Sequence, residues 1–125
     1  MPRRLCFALD LKPDPASIAE YERFHAPGGV WTEVLADIRA QGIELMSIWR
    51  TGNRMMMIAD VSDDFPRGAH GGKADPRLDE WETLMWTFQQ ALPHAASGEK
   101  WLPMQCIFDL AAHIEHSKTV NRSST

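Results

Sequence analysis

Leu5, Phe7, Leu9 and Leu11 alternate with Cys6, Ala8, Asp10 and Lys12, the two-residue period of a β-strand with one strongly apolar face. Such a face has to be covered, and the next segments supply the cover. In KPDPAS, either Asp14 as N-cap with Pro15 at the first helical position, or Ser17 with Glu20 as a capping box, starts a helix over about residues 15–25. Pro27, Gly28 and Gly29 break it. Trp31, Val34, Leu35 and Ile38 then recur at helical spacing, so a helix resumes to about Gln41, with Gly42 as its C-terminal stop. Residues 43–49 and 54–61 read as a hairpin whose turn, residues 50–53, contains Gly52. Met55, Met56 and Met57 alternate between its faces; they cannot converge on one metal ion and read as core filler. After the long polar loop 62–75, Leu78, Trp81, Leu84, Met85, Phe88 and Leu92 form the stripe of a second helix that starts at Asp75 or Pro76 and is stopped by Pro93. WLPMQCIFDL then places Met104, Cys106, Phe108 and Leu110 on one face of a last strand.

The order strand, helix, strand, strand, helix, strand is the α+β, ferredoxin-like plan, a four-stranded antiparallel sheet with its helices on one face. A chain of 125 residues fits one such domain, expected over residues 1–110, with a tail at 111–125 that loses apolar periodicity and is expected to be partly disordered. The other sheet face is read as carrying Ala8, Ile48, Met55, Met57 and Ile107. By fold-level analogy its cover is a second copy, a homodimer closing an α/β barrel.

With 24% charged residues and a formal charge of −4, the chain has no basic footprint for nucleic acid. Asp10 and Lys12 interrupt the N-terminal apolar stretch too early for a signal peptide, and no apolar run reaches membrane-spanning length, so a cytoplasmic protein is expected. Cys6 and Cys106 lie in strand-like segments and read as buried structural thiols. Five tryptophans against one tyrosine offer platforms for the apolar face of a sugar ring.

Tyr21 and His25 are four apart on the first helix and share a face. The break at Pro27 opens the backbone beside the imidazole, a group that donates and accepts protons near neutral pH. His70 in the long loop, His94 after a helix end, and the HIEH pair His113 and His116 lack comparable settings, and the tail pair has no third metal ligand. HExxH, P-loop, GxGxxG and GxSxG motifs do not occur.

The EYxRxH stretch at residues 20–25, the following proline and tryptophan, and the WxxLM and IFDL segments resemble the L-rhamnose mutarotase family over about residues 4–110. The resemblance implies a dimeric α/β barrel that interconverts the α and β anomers of a 6-deoxyhexose pyranose, L-rhamnose or L-fucose, with no cofactor and no metal. It makes His25 the proton donor and Tyr21 a substrate contact. Trp31, Trp49 and Trp81 are candidate stacking surfaces, and Asp60, Glu80 and Glu82 are candidates for the second acid or base. This chain departs from the family in inserting Gly28-Gly29, in carrying Met46 where the family has a sugar-contacting tyrosine, and in setting Trp81 between two glutamates. The longer loop, with the ending GEKWLPMQCIFDL, resembles the L-fucose branch. The competing readings are a cofactor-free oxygenase or haem-degrading barrel, and a noncatalytic metabolite-binding barrel.

Overall fold

The computed structural model describes residues 3–67 and 75–123, with side chains to residue 117. His70 and part of the long loop lie outside the described residues. Strand β1 (Arg3–Leu11) runs antiparallel to β3 (Arg54–Val61) over its length, from Arg3 opposite Val61 to Asp10 opposite Arg54. β2 (Ile43–Thr51) pairs with the other side of β3 to make the hairpin, so the sheet order is β2-β3-β1, with β2 on an edge. Helices α1 (Pro15–His25), α2 (Thr32–Ala40) and α3 (Pro76–Trp86) supply the second layer. Of the two start signals before α1, the first operates: the Asp14 carboxylate accepts from the Ser17 N–H at 3.1 Å, with Pro15 in the first turn. The core unites Leu9, Leu11 and Met55 of the sheet with Tyr21, Val34, Trp81 and Met85 of the three helices.

Register corrects the assignment of faces. Met55 lies opposite Leu9, and Met57 opposite both Phe7 and Ile48. Residues paired across strands share a face, so Met55, Met57 and Ile48 belong to the helix-covered side. The outer face instead carries Cys6, Ala8, Met56 and Ile58, with Leu45 and Trp49 of β2 left 68% and 62% exposed. The three methionines alternate as expected, and Met55 is core, 2% exposed.

The second helix is shorter than its apolar stripe. Thr87 caps it through its hydroxyl, which donates to the Leu84 carbonyl at 2.6 Å. The chain then unwinds so that β4 (Gln89–Gln90) pairs with Leu11 and Asp10 of β1. The last strand shrinks to β5 (Leu102–Pro103), opposite Ala8 and Phe7. Met104 still donates to the Cys6 carbonyl at 2.8 Å, but the chain then leaves the sheet, with Ile107 and Phe108 91% and 66% exposed. Pro103 brings no N–H to the ladder, and an alternating pattern needs a layer to bury its apolar side, which none of the described residues provides there. Cys106 is therefore exposed and Cys6 half-buried, neither the fully buried thiol expected. Helix α4 (Leu110–Ser123) follows. Asp109 caps it by accepting from the Ala111 N–H at 3.1 Å, and the Phe108 and His113 rings stack at 5.0 Å, so it forms without a core to lean on.

The Pro27-Gly28-Gly29 break is a tight reversal between α1 and α2. Gly29 donates to the Ala26 carbonyl at 2.7 Å, and a Cβ added to it would lie 2.7 Å from the carbonyl oxygens of both Arg23 and Phe24. Gly28 has φ +85°, but a Cβ there meets open space. Gly29→Ala is expected to destabilise by about 1–3 kcal/mol, because backbone must move to make room. Gly28→Ala costs only the left-handed backbone, about 1 kcal/mol. Urea unfolding of the two variants checks the ranking, and equal midpoints would contradict it.

Candidate active site

A cleft of about 360 Å³ opens between α1 and the edge strand β2, within the range of small-molecule sites. Tyr21, Glu22 and His25 line it from the helix, Ile48, Trp49 and Arg50 from the strand, and Met55 from the neighbouring strand. Tyr21 and His25, one helical turn apart, stand with ring centroids 4.3 Å apart.

His25 Nδ1 lies 2.8 Å from the backbone carbonyl of Tyr21. A carbonyl only accepts, so Nδ1 carries the proton of the neutral ring and Nε2 is left for exchange. Burial lowers the imidazole pKa below its ordinary value, and the bond to the Tyr21 carbonyl partly opposes this. Tyr21 is 4% exposed. Burial pushes its phenol up to about 12, the hydrogen bond from Gln89 pulls the other way, and the charge of Glu82 adds to the rise. It accepts from Gln89 Nε2 at 3.1 Å and keeps its own proton across the physiological range. The site thus sets a protonated, donating phenol beside an imidazole that releases its proton readily.

The other expected residues divide. Trp49 borders the cleft, but its register opposite Met56 puts the indole on the outer sheet face, where Nε1 donates to the Ser47 hydroxyl at 2.8 Å. Trp81 stands behind the histidine at 5.8 Å between ring centroids, and Trp31 stands behind Trp81 at 5.1 Å. Trp31 already bears the Arg77 guanidinium on its ring, 3.8 Å from the centroid. These two tryptophans back the site and do not wall it. Asp60 is on the outer face, gripped by Arg4 through two bonds of 2.7 and 3.0 Å that hold its carboxyl below the usual range. Glu80 pairs with Arg77 at 2.9 Å and Glu82 with Lys100 at 3.2 Å. None of the three carboxylates lines the cleft.

The carboxylate that does line it is Glu22, whose Oε1 accepts from Arg50 Nε at 2.5 Å. Its signal in the sequence is a spacing of three from His25, which puts both on one face of the helix. Arg50 reads as a turn residue, but β2 continues to Thr51 and makes it a strand residue opposite Met55. Among the described residues no group of three or more His, Cys, Asp or Glu side chains is placed to hold a metal ion.

A family model described as L-rhamnose mutarotase matches residues 4–110. The chain is 46% identical over 111 residues to the L-fucose mutarotase of Xanthomonas campestris pv. campestris, covering 87% of this chain and 89% of that protein. It is 35% identical over 109 residues to a UPF0734 protein of Dictyostelium discoideum, covering 82% and 86%. The crystal structure of an L-rhamnose mutarotase from Formosa agariphila superposes with a TM-score of 0.59 at 19% identity, covering 86% of this chain and 97% of that one, a likeness of fold. With the α+β architecture and most of the chain spanned by these matches, the protein belongs to the L-rhamnose mutarotase family.

Proposed function

We propose that this protein is a sugar mutarotase that interconverts the α and β anomers of a 6-deoxyhexose pyranose, with L-fucose its preferred substrate. The observation that carries the chemistry is His25, half-buried beside Tyr21 with its Nε2 left for exchange in a cleft of small-ligand size. Anomer exchange opens the ring: one proton leaves the anomeric hydroxyl, another reaches the ring oxygen, and the aldehyde turns before closing on its other face. His25 supplies the proton to the ring oxygen, and Tyr21 donates a hydrogen bond to a sugar hydroxyl. The preference for L-fucose rests on the 46% identity to the Xanthomonas enzyme and on Met46, which has no hydroxyl to offer a sugar. Saturation-transfer NMR between anomer signals, run on L-fucose and L-rhamnose with and without the protein, tests the reading. Absence of acceleration on both sugars would remove it.

The working unit is a homodimer in the cytoplasm. Leu45 and Trp49 on the outer sheet face and the apolar segment through Ile107 and Phe108 are all more than half exposed in one chain, more apolar surface than a monomer ordinarily leaves to water. Two free cysteines fit a reducing compartment, and no helix among the described residues is long and apolar enough to cross a membrane. Light scattering at micromolar concentration is expected to give twice the 14.2 kDa chain mass; a monomer would refute the dimer.

A further inference from the structure

We propose that Glu22 is the base that works opposite His25, taking the proton of the anomeric hydroxyl while His25 protonates the ring oxygen; the assignment rests on the mutarotase reading. The two oxygens that exchange protons are bonded to one carbon of the sugar, so donor and acceptor must reach into the same cleft. Glu22 meets that requirement, lining the His25 cleft from the same face of α1. Asp60, Glu80 and Glu82 do not.

The pairing with Arg50 orients the carboxylate. Arg50 Nε donates to Glu22 Oε1 at 2.5 Å, and Arg50 Nη1 donates to the Gly52 carbonyl at 2.7 Å, which anchors the guanidinium to the hairpin turn. Among the described residues Glu22 Oε2 takes no hydrogen bond, and it is the oxygen left to receive a proton. The Glu22 side chain is 53% exposed, reachable by a ligand entering from solvent. His25 and Tyr21 share its helix, and Arg50 is the charged group facing it from the strand.

The step balances without a co-reactant. Glu22 takes the O1 proton, the C1–O1 bond becomes a carbonyl, the C1–O5 bond breaks, and O5 takes its proton from Nε2 of the His25 imidazolium, leaving the neutral ring with its Nδ1 proton on the Tyr21 carbonyl. After the aldehyde turns about C1–C2, O5 attacks the other face of C1 and returns its proton to His25, while O1 recovers the proton held by Glu22. Both side chains end as they began, in the other anomer's complex.

Glu22→Gln keeps the volume and an acceptor for Arg50 but removes the base. Anomer exchange of L-fucose measured by NMR over a range of sugar concentrations is expected to show kcat reduced about a hundredfold or more, with KM within about threefold of wild type. Glu22→Asp, which keeps a carboxylate on a shorter stem, is expected to recover part of that loss. A Glu22→Gln enzyme with kcat within about threefold of wild type would overturn the assignment, and so would a rise confined to KM, which marks a group that only binds a hydroxyl. Wild-type protein inert toward both L-fucose and L-rhamnose would overturn the mutarotase reading itself, so the two failures are told apart in one experiment.

Discussion

His25→Gln is expected to lower the catalysed rate of L-fucose anomer exchange by about 10²–10⁴-fold, equivalent to about 3–5 kcal/mol of barrier. Glutamine fills similar space and can still donate to the Tyr21 carbonyl, so the loss reports proton transfer and not a collapsed wall. The pH profile separates acid from base. As the acid, His25 must be imidazolium when sugar arrives, and burial lowers its pKa below the ordinary value of about 6.5. The catalysed kcat/KM, after subtraction of the spontaneous rate, should therefore fall as pH rises through that lowered pKa. A rate that climbs with pH over the same interval would assign His25 to the base, and a His25→Gln enzyme within a few-fold of wild type would remove it from the chemistry. The same shift acts on folding with the opposite pH dependence. The unfolded chain protonates this histidine first, so its contribution to stability is complete above pH of about 6.5 and is lost as pH falls toward the folded-state pKa.

The parts of the fold legible in the sequence are those decided within a few residues. Asp14 and Pro15 start α1 through contacts with the next turn, and Gly52 with Asn53 turns the hairpin. What the sequence alone does not give depends on partners far along the chain. The face that Met55 and Met57 occupy is set by their pairing with Leu9 and Phe7, some fifty residues away; counting alternate positions along one strand cannot choose between faces. Met104, Cys106, Phe108 and Leu110 alternate well enough for a strand, but burial of that pattern requires a layer that the described residues of this chain do not supply. Phe88 and Leu92 extend the helical stripe, yet the pairing of Gln89 and Gln90 with Leu11 and Asp10 draws the chain out of the helix. The site divides in the same way. Tyr21, Glu22 and His25 are neighbours by helical spacing alone, whereas the part played by Arg50 depends on which strand edge faces α1. Asp60, Glu80 and Glu82 are titratable in any sequence reading; only the fold reveals that each is engaged with a basic side chain away from the cleft.

Trp81→Ala is expected to cost about 3–5 kcal/mol of folding stability, a large share of the 5–15 kcal/mol that holds an ordinary domain together. The ring is 7% exposed and meets Phe24 at 6.2 Å, His25 at 5.8 Å and Trp31 at 5.1 Å, each edge-on. Through those contacts α3 is joined to the end of α1 and to the start of α2 on either side of the glycine reversal. Removing the indole leaves a cavity behind the proposed proton donor, so the imidazole loses the wall that fixes its ring plane. Trp31→Ala is the informative companion. That ring is half-buried and already carries Arg77 on one face, and its loss is expected to cost about 1–2 kcal/mol. Urea unfolding at pH 7.5 orders the two, and a Trp81→Ala protein within about 1 kcal/mol of wild type would show that the core closes without it. If the indole holds the imidazole, the folded fraction of Trp81→Ala should also have a reduced kcat. Trp81→Phe, which keeps an aromatic edge toward His25, should retain most of it, whereas a role as sugar platform would appear chiefly as a rise in KM.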